Sequence, residues 1–156
     1  MAEPISVSMD INAPAERLYD LVADVTAMGK WSPECTGGKW LGGATGAQKG
    51  ARFRGTNRNG VFFWTTVCTI TAAEPSRTIE WVTKAIGLLP GALWRYEFTP
   101  NPSGGTTVTE STEDRRGWFL RATAPFTVGV RDRASRNRMS MQTTLERLKA
   151  AAESGT

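Results

Sequence analysis

The sequence predicts an α+β domain in which a curved antiparallel sheet of about seven strands wraps around a long C-terminal helix. Three observations carry this reading. Residues 35–114 break into apolar–polar alternations joined by short Gly-, Pro- and Asn-rich turns, and meander connections of that kind give antiparallel pairing. From Pro125 to about Ala152 no second proline interrupts the chain. There Phe126, Val130, Ala134, Asn137, Met141, Thr144, Leu145 and Leu148 fall on one stripe at helical spacing. Only one such helix is available to cover a wide sheet, so the sheet has to curl around it.

The elements follow in order. Ile5, Val7, Met9 and Ile11 alternate with Ser6, Ser8, Asp10 and Asn12, the pattern of a half-buried strand. Asn12-Ala13-Pro14 opens a helix, with proline in its first turn and Asn12 or its neighbour as cap; Leu18, Leu21, Val22 and Val25 form the buried face. Thr26 to Lys30 reads as a second short helical turn ended by Gly29. Ser32-Pro33 holds the backbone extended, and a strand over about Cys35–Leu41 runs into the turn Gly42-Gly43-Ala44-Thr45-Gly46. A phosphate cradle does not fit that turn, because neither a helix start nor a Lys-Ser/Thr pair follows it.

Further strands are expected over 51–57, 61–72, 78–84, 93–99 and 106–114. They are separated by the hairpin signal Asn59-Gly60, the Glu74-Pro75-Ser76 turn, the apolar loop Ile86–Gly91 and a turn over 101–105. Residues 115–124 lead into the long helix through a shorter helix carrying Trp118 and Leu120.

Composition narrows the function. A chain of 156 residues is expected to be one domain, 1–156, with a core of its own. No apolar run approaches the roughly 18 residues of a membrane span. The N-terminus lacks a basic region followed by an apolar block, so a cytoplasmic protein is expected. Cys35 and Cys68 stand apart without metal-ligand spacing and read as free thiols. The chain contains no histidine. This removes the commonest general base, the Ser-His and Cys-His nucleophile systems, and the His-containing zinc and iron sites. No metal and no cofactor is expected.

The net charge is +4, and the excess is local: Arg115, Arg116, Arg121, Arg131, Arg133, Arg136 and Arg138 are opposed mainly by Asp114 and Asp132. No nucleic-acid motif accompanies these arginines. They read as the solvated face of the long helix and its lead-in, with no nucleic-acid partner and no stable membrane insertion.

Several stretches together resemble a known family: Ile11-Asn12-Ala13-Pro14, Trp31-Ser32-Pro33, Gly50-Ala51-Arg52-Phe53, Gly55-Thr56-Asn57, Trp64, Glu74-Pro75, Gly105-Thr106-Thr107-Val108-Thr109-Glu110, and Asn137-Arg138 with Leu145 and Leu148. The chain is similar to the helix-grip (SRPBCC) superfamily, the START-domain, Bet v 1-like and polyketide cyclase/dehydrase group. Within it the chain looks like the small bacterial proteins of polyketide cyclase/dehydrase and lipid transport type. The resemblance spans nearly the whole chain and is more specific for fold than for activity.

That resemblance implies a deep pocket between sheet and helix, and the residues suit it. Phe62, Trp64, Thr66, Cys68 and Ile70 share one strand face. Trp81, then Trp94, Tyr96 and Phe98, then Val108, Glu110 and Thr112 stand on neighbouring strands. Phe126, Val130, Ala134, Asn137 and Met141 face them from the helix. Asn57 and Glu110 turn inward if no bulge intervenes, and Trp31 and Trp118 fall near the mouth. The small and polar residues Ala134 and Asn137 place the cavity against the N-terminal half of the helix.

The first functional expectation is binding or transport of a small hydrophobic, aromatic or lipid-like molecule. The second is a metal-free polyketide cyclase or dehydratase using Glu110 as base, with Tyr96, Asn57 or Asn137 as donors. The third is an interaction module using the arginines or the 86–91 loop. A homodimer is left open.

Overall fold

The computed structural model describes residues 3–154. Its strands are β1 Ile5–Ile11, β2 Cys35–Leu41, β3 Arg52–Asn59, β4 Phe62–Glu74, β5 Thr78–Ala85, β6 Leu89–Pro100 and β7 Thr106–Asp114. Among the described residues they form one seven-stranded antiparallel sheet in the order β1-β7-β6-β5-β4-β3-β2. Helices α1 (Ala15–Ala23) and α2 (Met28–Trp31), with a 3-10 turn at Val25–Ala27 between them, follow β1. Helices α3 (Trp118–Thr127) and α4 (Arg133–Ser154) follow β7. This is the α+β helix-grip arrangement that the sequence predicts.

The C-terminal half of α4 anchors the sheet. Met141, Leu145, Leu148 and Ala152 recur at helical spacing and are fully buried. Burying each of the three large side chains contributes about 1.5–3 kcal/mol. Lys149 Nζ donates to Asp10 O at 3.0 Å, and the Asn12 backbone N–H donates to Glu153 Oε1 at 2.9 Å, so α4 is stitched to the end of β1. Beside it, Leu18, Tyr19 and Val22 of α1 pack on Ile79, Phe98 and Val108, with Tyr19 edge-on to Phe98 at 5.8 Å. This end of the barrel-like sheet is closed.

Several expectations need correction. Asn12 does not cap α1; Pro14 occupies the cap position and no side chain caps the helix. Gly29 does not end the second helical segment but sits inside α2, where a Cβ would run into the carbonyl of Thr36 on β2. The apolar loop at 86–91 is shorter than expected. It is a tight turn through Ile86 (φ 48°) and Gly87 (φ 76°), and β6 already begins at Leu89.

The largest correction concerns the long helix, which is two helices. Pro125 lies inside α3 rather than opening α4. Gly129 (φ 71°) then turns the chain, with the Val128 and Gly129 N–H groups both donating to Ala124 O at 2.9 and 3.1 Å. Asp132 starts α4 by accepting from the Ser135 N–H at 3.1 Å and the Ser135 hydroxyl at 2.7 Å. A left-handed glycine after a helix and an acidic N-cap before one are standard stop and start signals.

Candidate functional site: a cavity beneath the C-terminal helices

Strand alternation builds three walls of an interior cavity of about 570 Å³. Inward positions on β3 are Phe53, Gly55 and Asn57; on β4, Trp64, Thr66 and Cys68; on β5, Trp81 and Thr83; on β6, Trp94 and Tyr96. The sheet contains three register shifts, at 35–37, 70–72 and 82–84. None falls between β6 and β7, whose pairing runs unbroken from Ala92↔Asp114 to Pro100↔Thr106. Glu110 therefore keeps the inward parity of Val108 and Thr112, and it projects into the cavity beside its cross-strand partner Tyr96.

Glu110 is 3 % exposed. Burial pushes its carboxyl up to about 8, and a hydrogen bond with Tyr96 only partly offsets that. Tyr96 is raised well above the ordinary phenol range, first by its own burial and then by Glu110. Its ring is fixed by stacking on Trp81 at 5.7 Å, and Trp81 in turn meets Phe53 edge-on at 5.9 Å. Glu110 Oε2 has no hydrogen-bond partner, the one such buried side-chain oxygen or nitrogen among the described residues. The two thiols are inert by comparison: burial pushes Cys68 up to about 12 and also raises Cys35.

The roof differs from the one expected. It is formed by Phe119, Leu120, Thr123 and Ala124 of α3 and by Arg133, Asn137, Ser140 and Thr144 of α4. The helix thus shows the cavity its polar stripe and gives its apolar stripe to the sheet. Asn137 lines the space as predicted. Val130 and Met141 are buried outside the lining, Ala134 is exposed, and Phe126 points to solvent at 83 % exposure. The break at Gly129 rotates α3 relative to α4, so a single 100° stripe drawn through both cannot hold.

Other expected contacts also lie elsewhere. Phe62 packs against the α3–α4 junction, where a Cβ on Gly129 would come within 2.7 Å of its ring. Phe98 belongs to the closed end. Trp31 donates from Nε1 to Leu21 O at 3.3 Å and borders a shallow outer groove along α1. Trp118 is 80 % exposed on the outer side of α3.

The mouth is held by ion pairs that the arginine cluster concealed. Glu34, buried in the segment before β2, takes Arg133 through both carboxyl oxygens and Arg136 at 3.6 Å. Asn59 completes the latch, donating from Nδ2 to Val128 O at 2.9 Å and accepting from Arg136 Nη2 at 3.1 Å. On the other side Arg116 and Arg121 engage Asp114 at 2.8 and 3.7 Å. Arg116, Arg133 and Arg136 are thus only partly exposed, whereas Arg115, Arg121, Arg131 and Arg138 are solvated as expected. Glu34 and Asn59 were not candidates from sequence, since a lone Glu and a hairpin Asn carry no spacing signal for a partner in the last third of the chain. Phe53, Cys35 and Thr83 also line the space, and their alternation with outward neighbours marks the same face.

Among the described residues no group of three His, Cys, Asp or Glu side chains gathers to hold a metal ion. None of the described helices is long and apolar enough to cross a membrane.

An antiparallel sheet gripping a C-terminal helix over a walled cavity defines the helix-grip class. The chain belongs to the polyketide cyclase/dehydrase and lipid transport family, whose description matches residues 4–153. Solved structures agree on the fold. A Deinococcus radiodurans protein superposes with a TM-score of 0.70 at 18% identity, covering 99% of this chain and 100% of its own. A Chromobacterium violaceum protein gives 0.71 at 15% identity, with 97% and 99% covered. The di-domain ARO/CYC protein BexL from the BE-7585A biosynthetic pathway gives 0.71 at 19% identity, and this chain spans 50% of that protein's length while 97% of its own is covered. A search by sequence among curated proteins found no match.

Proposed function

We propose that this protein binds and carries a small, flat, largely apolar molecule in its interior cavity, acting as a single domain inside the cell without a cofactor. The observation that carries the reading is the space of about 570 Å³ walled by Trp64, Trp81, Trp94 and Tyr96. Volumes of about 300–1,000 Å³ with apolar walls and a few convergent polar groups are typical of small-ligand sites. Family membership supports a hydrophobic ligand of aromatic or lipid-like character. Native mass spectrometry of the purified protein is the test. A small-molecule adduct that is lost on unfolding is expected. A bare chain both as purified and after incubation with a lipid and aromatic extract opposes the proposal.

A second reading, a polyketide cyclase or dehydratase, is favoured by one feature: a buried carboxyl titrating at about 8 beside a tyrosine hydroxyl. Aldol ring closure needs a base and a group that polarises a carbonyl, and Glu110 with Tyr96, Asn57 and Asn137 supplies those types. Once a ligand is identified, Glu110→Gln separates the two readings. Loss of product in the variant supports catalysis, whereas no product from either form supports binding alone. The interaction-module reading loses Arg133 and Arg136, which are engaged with Glu34, and rests on the exposed Arg131 and Arg138 and on Ile86 and Leu88 of the 86–91 turn.

A further inference from the structure

The cavity contains an unfinished hydrogen-bond pair. Tyr96 stands opposite Glu110 and its hydroxyl acts on the carboxyl, yet Glu110 Oε2 has no hydrogen-bond partner. A buried carboxyl that keeps its proton has a donor to place. Leaving a buried donor unmatched is costly, so the missing acceptor is expected from whatever fills the space. No acceptor from the protein completes it. The roof residues Asn137, Ser140 and Thr144 are neutral, and the cross-strand neighbour on β1 is Val7.

The charged lining groups, Glu34, Asp114, Arg116 and Arg133, are tied to one another in ion pairs within the latch and its counterpart across the mouth. Burial raises the Glu110 carboxyl, and the neighbouring Tyr96 hydroxyl partly offsets it.

We propose that Glu110, beside Tyr96, is the specificity determinant of the cavity and donates a hydrogen bond from its carboxyl to a neutral oxygen of the ligand. The ligand class is then a flat apolar molecule carrying a ketone, quinone or similar acceptor oxygen, not an amine and not a plain hydrocarbon. This rests on the cavity being a ligand site. An ammonium ligand would need the ionised carboxylate, the form that burial of Glu110 disfavours. Removing both charges from water without added hydrogen bonds is unfavourable. A hydrocarbon would leave the donor unmatched. A carbonyl oxygen satisfies it without creating charge, and the aromatic walls accept the flat body.

Three probes of one shape test the proposal: 2-acetylnaphthalene, 2-ethylnaphthalene and 1-(2-naphthyl)ethylamine, titrated against the tryptophan fluorescence of the full chain. The ketone is expected to bind about five- to tenfold tighter than the ethyl compound at pH 6–7, as one added hydrogen bond gives. That preference should fall as pH rises through about 8, where the carboxyl loses its proton. Glu110→Gln, which keeps a neutral donor, should retain the preference and lose its pH dependence. Glu110→Leu should bring the ratio to about one while the ethyl compound still binds.

Equal binding of ketone and ethyl compound by the native chain overturns the assignment and leaves the cavity reading standing. So does a preference for the amine that grows through pH 8. Failure of all three probes to bind removes the cavity reading and this inference with it.

Discussion

Tyr96 and Glu110 stand directly opposite one another on β6 and β7, and both are enclosed, at 5 % and 3 % exposure. Folding therefore takes a carboxyl from an ordinary value of 4.5 to about 8. Between those values the folded state binds more protons than the unfolded one. The contribution is fully present below about pH 4.5 and is lost as pH rises through about 8, so stability declines across that window. Urea unfolding from pH 5 to 9 should show the decline. Glu110→Gln should flatten it and leave the variant more stable than the native chain at pH 9 by a few kcal/mol. A native profile with no downward slope over that range contradicts the buried carboxyl.

Glu34 closes the mouth from the far end of the sequence, holding Arg133 and Arg136 at the start of α4. Glu34→Ala removes charge-assisted hydrogen bonds that are largely shielded from water and is expected to cost about 1–3 kcal/mol. Its more specific signature is local. Amide hydrogen exchange over residues 128–133 should accelerate more than exchange in β6 or β7. Uniform acceleration would mean that the latch is not a separate unit.

Gly129 combines a left-handed backbone with the close approach of the Phe62 ring. Gly129→Ala should therefore destabilise the protein by about 1–3 kcal/mol, through both strain and overpacking. The double change with Phe62→Leu should recover part of that loss, because it removes the steric component and leaves the backbone one. No recovery would place the whole cost in the backbone.

Ser140 lines the roof with a small side chain. Ser140→Leu should occupy cavity space, weaken binding of naphthalene-sized probes at least tenfold and leave the urea midpoint unchanged or higher. Unaltered probe affinity would place the bound molecule elsewhere.

The strands were the most legible part of the chain, because a period of two with bulky inward residues survives in every one of them. Trp64, Thr66, Trp81, Trp94, Tyr96 and Glu110 reach the cavity by that simple parity, and the bulges at 70–72 and 82–84 lie where they do not invert it. The helical wall was read less well. One helical period runs through Gly129 in the sequence pattern, but the left-handed glycine and the Asp132–Ser135 cap divide it into two helices. Phe126, Val130, Ala134 and Met141 share a stripe in the pattern and no common face in the fold. The Glu34 latch could not be read from local pattern, since its partners are 99 and 102 residues away and depend on how α3 and α4 meet.

The six tryptophans offer the most direct measurement of the central claim, that the interior cavity is the ligand site. Trp64, Trp81 and Trp94 line it, whereas Trp31, Trp40 and Trp118 do not. Each indole N–H gives its own signal in a ¹H–¹⁵N correlation spectrum, and titration with 2-acetylnaphthalene reads all six at once. The indole signals of Trp64, Trp81 and Trp94 are predicted to shift together and saturate with one affinity while the other three stay in place. Shifts confined to Trp118 or Trp31, or none at all at saturating probe, would contradict a ligand site inside the sheet.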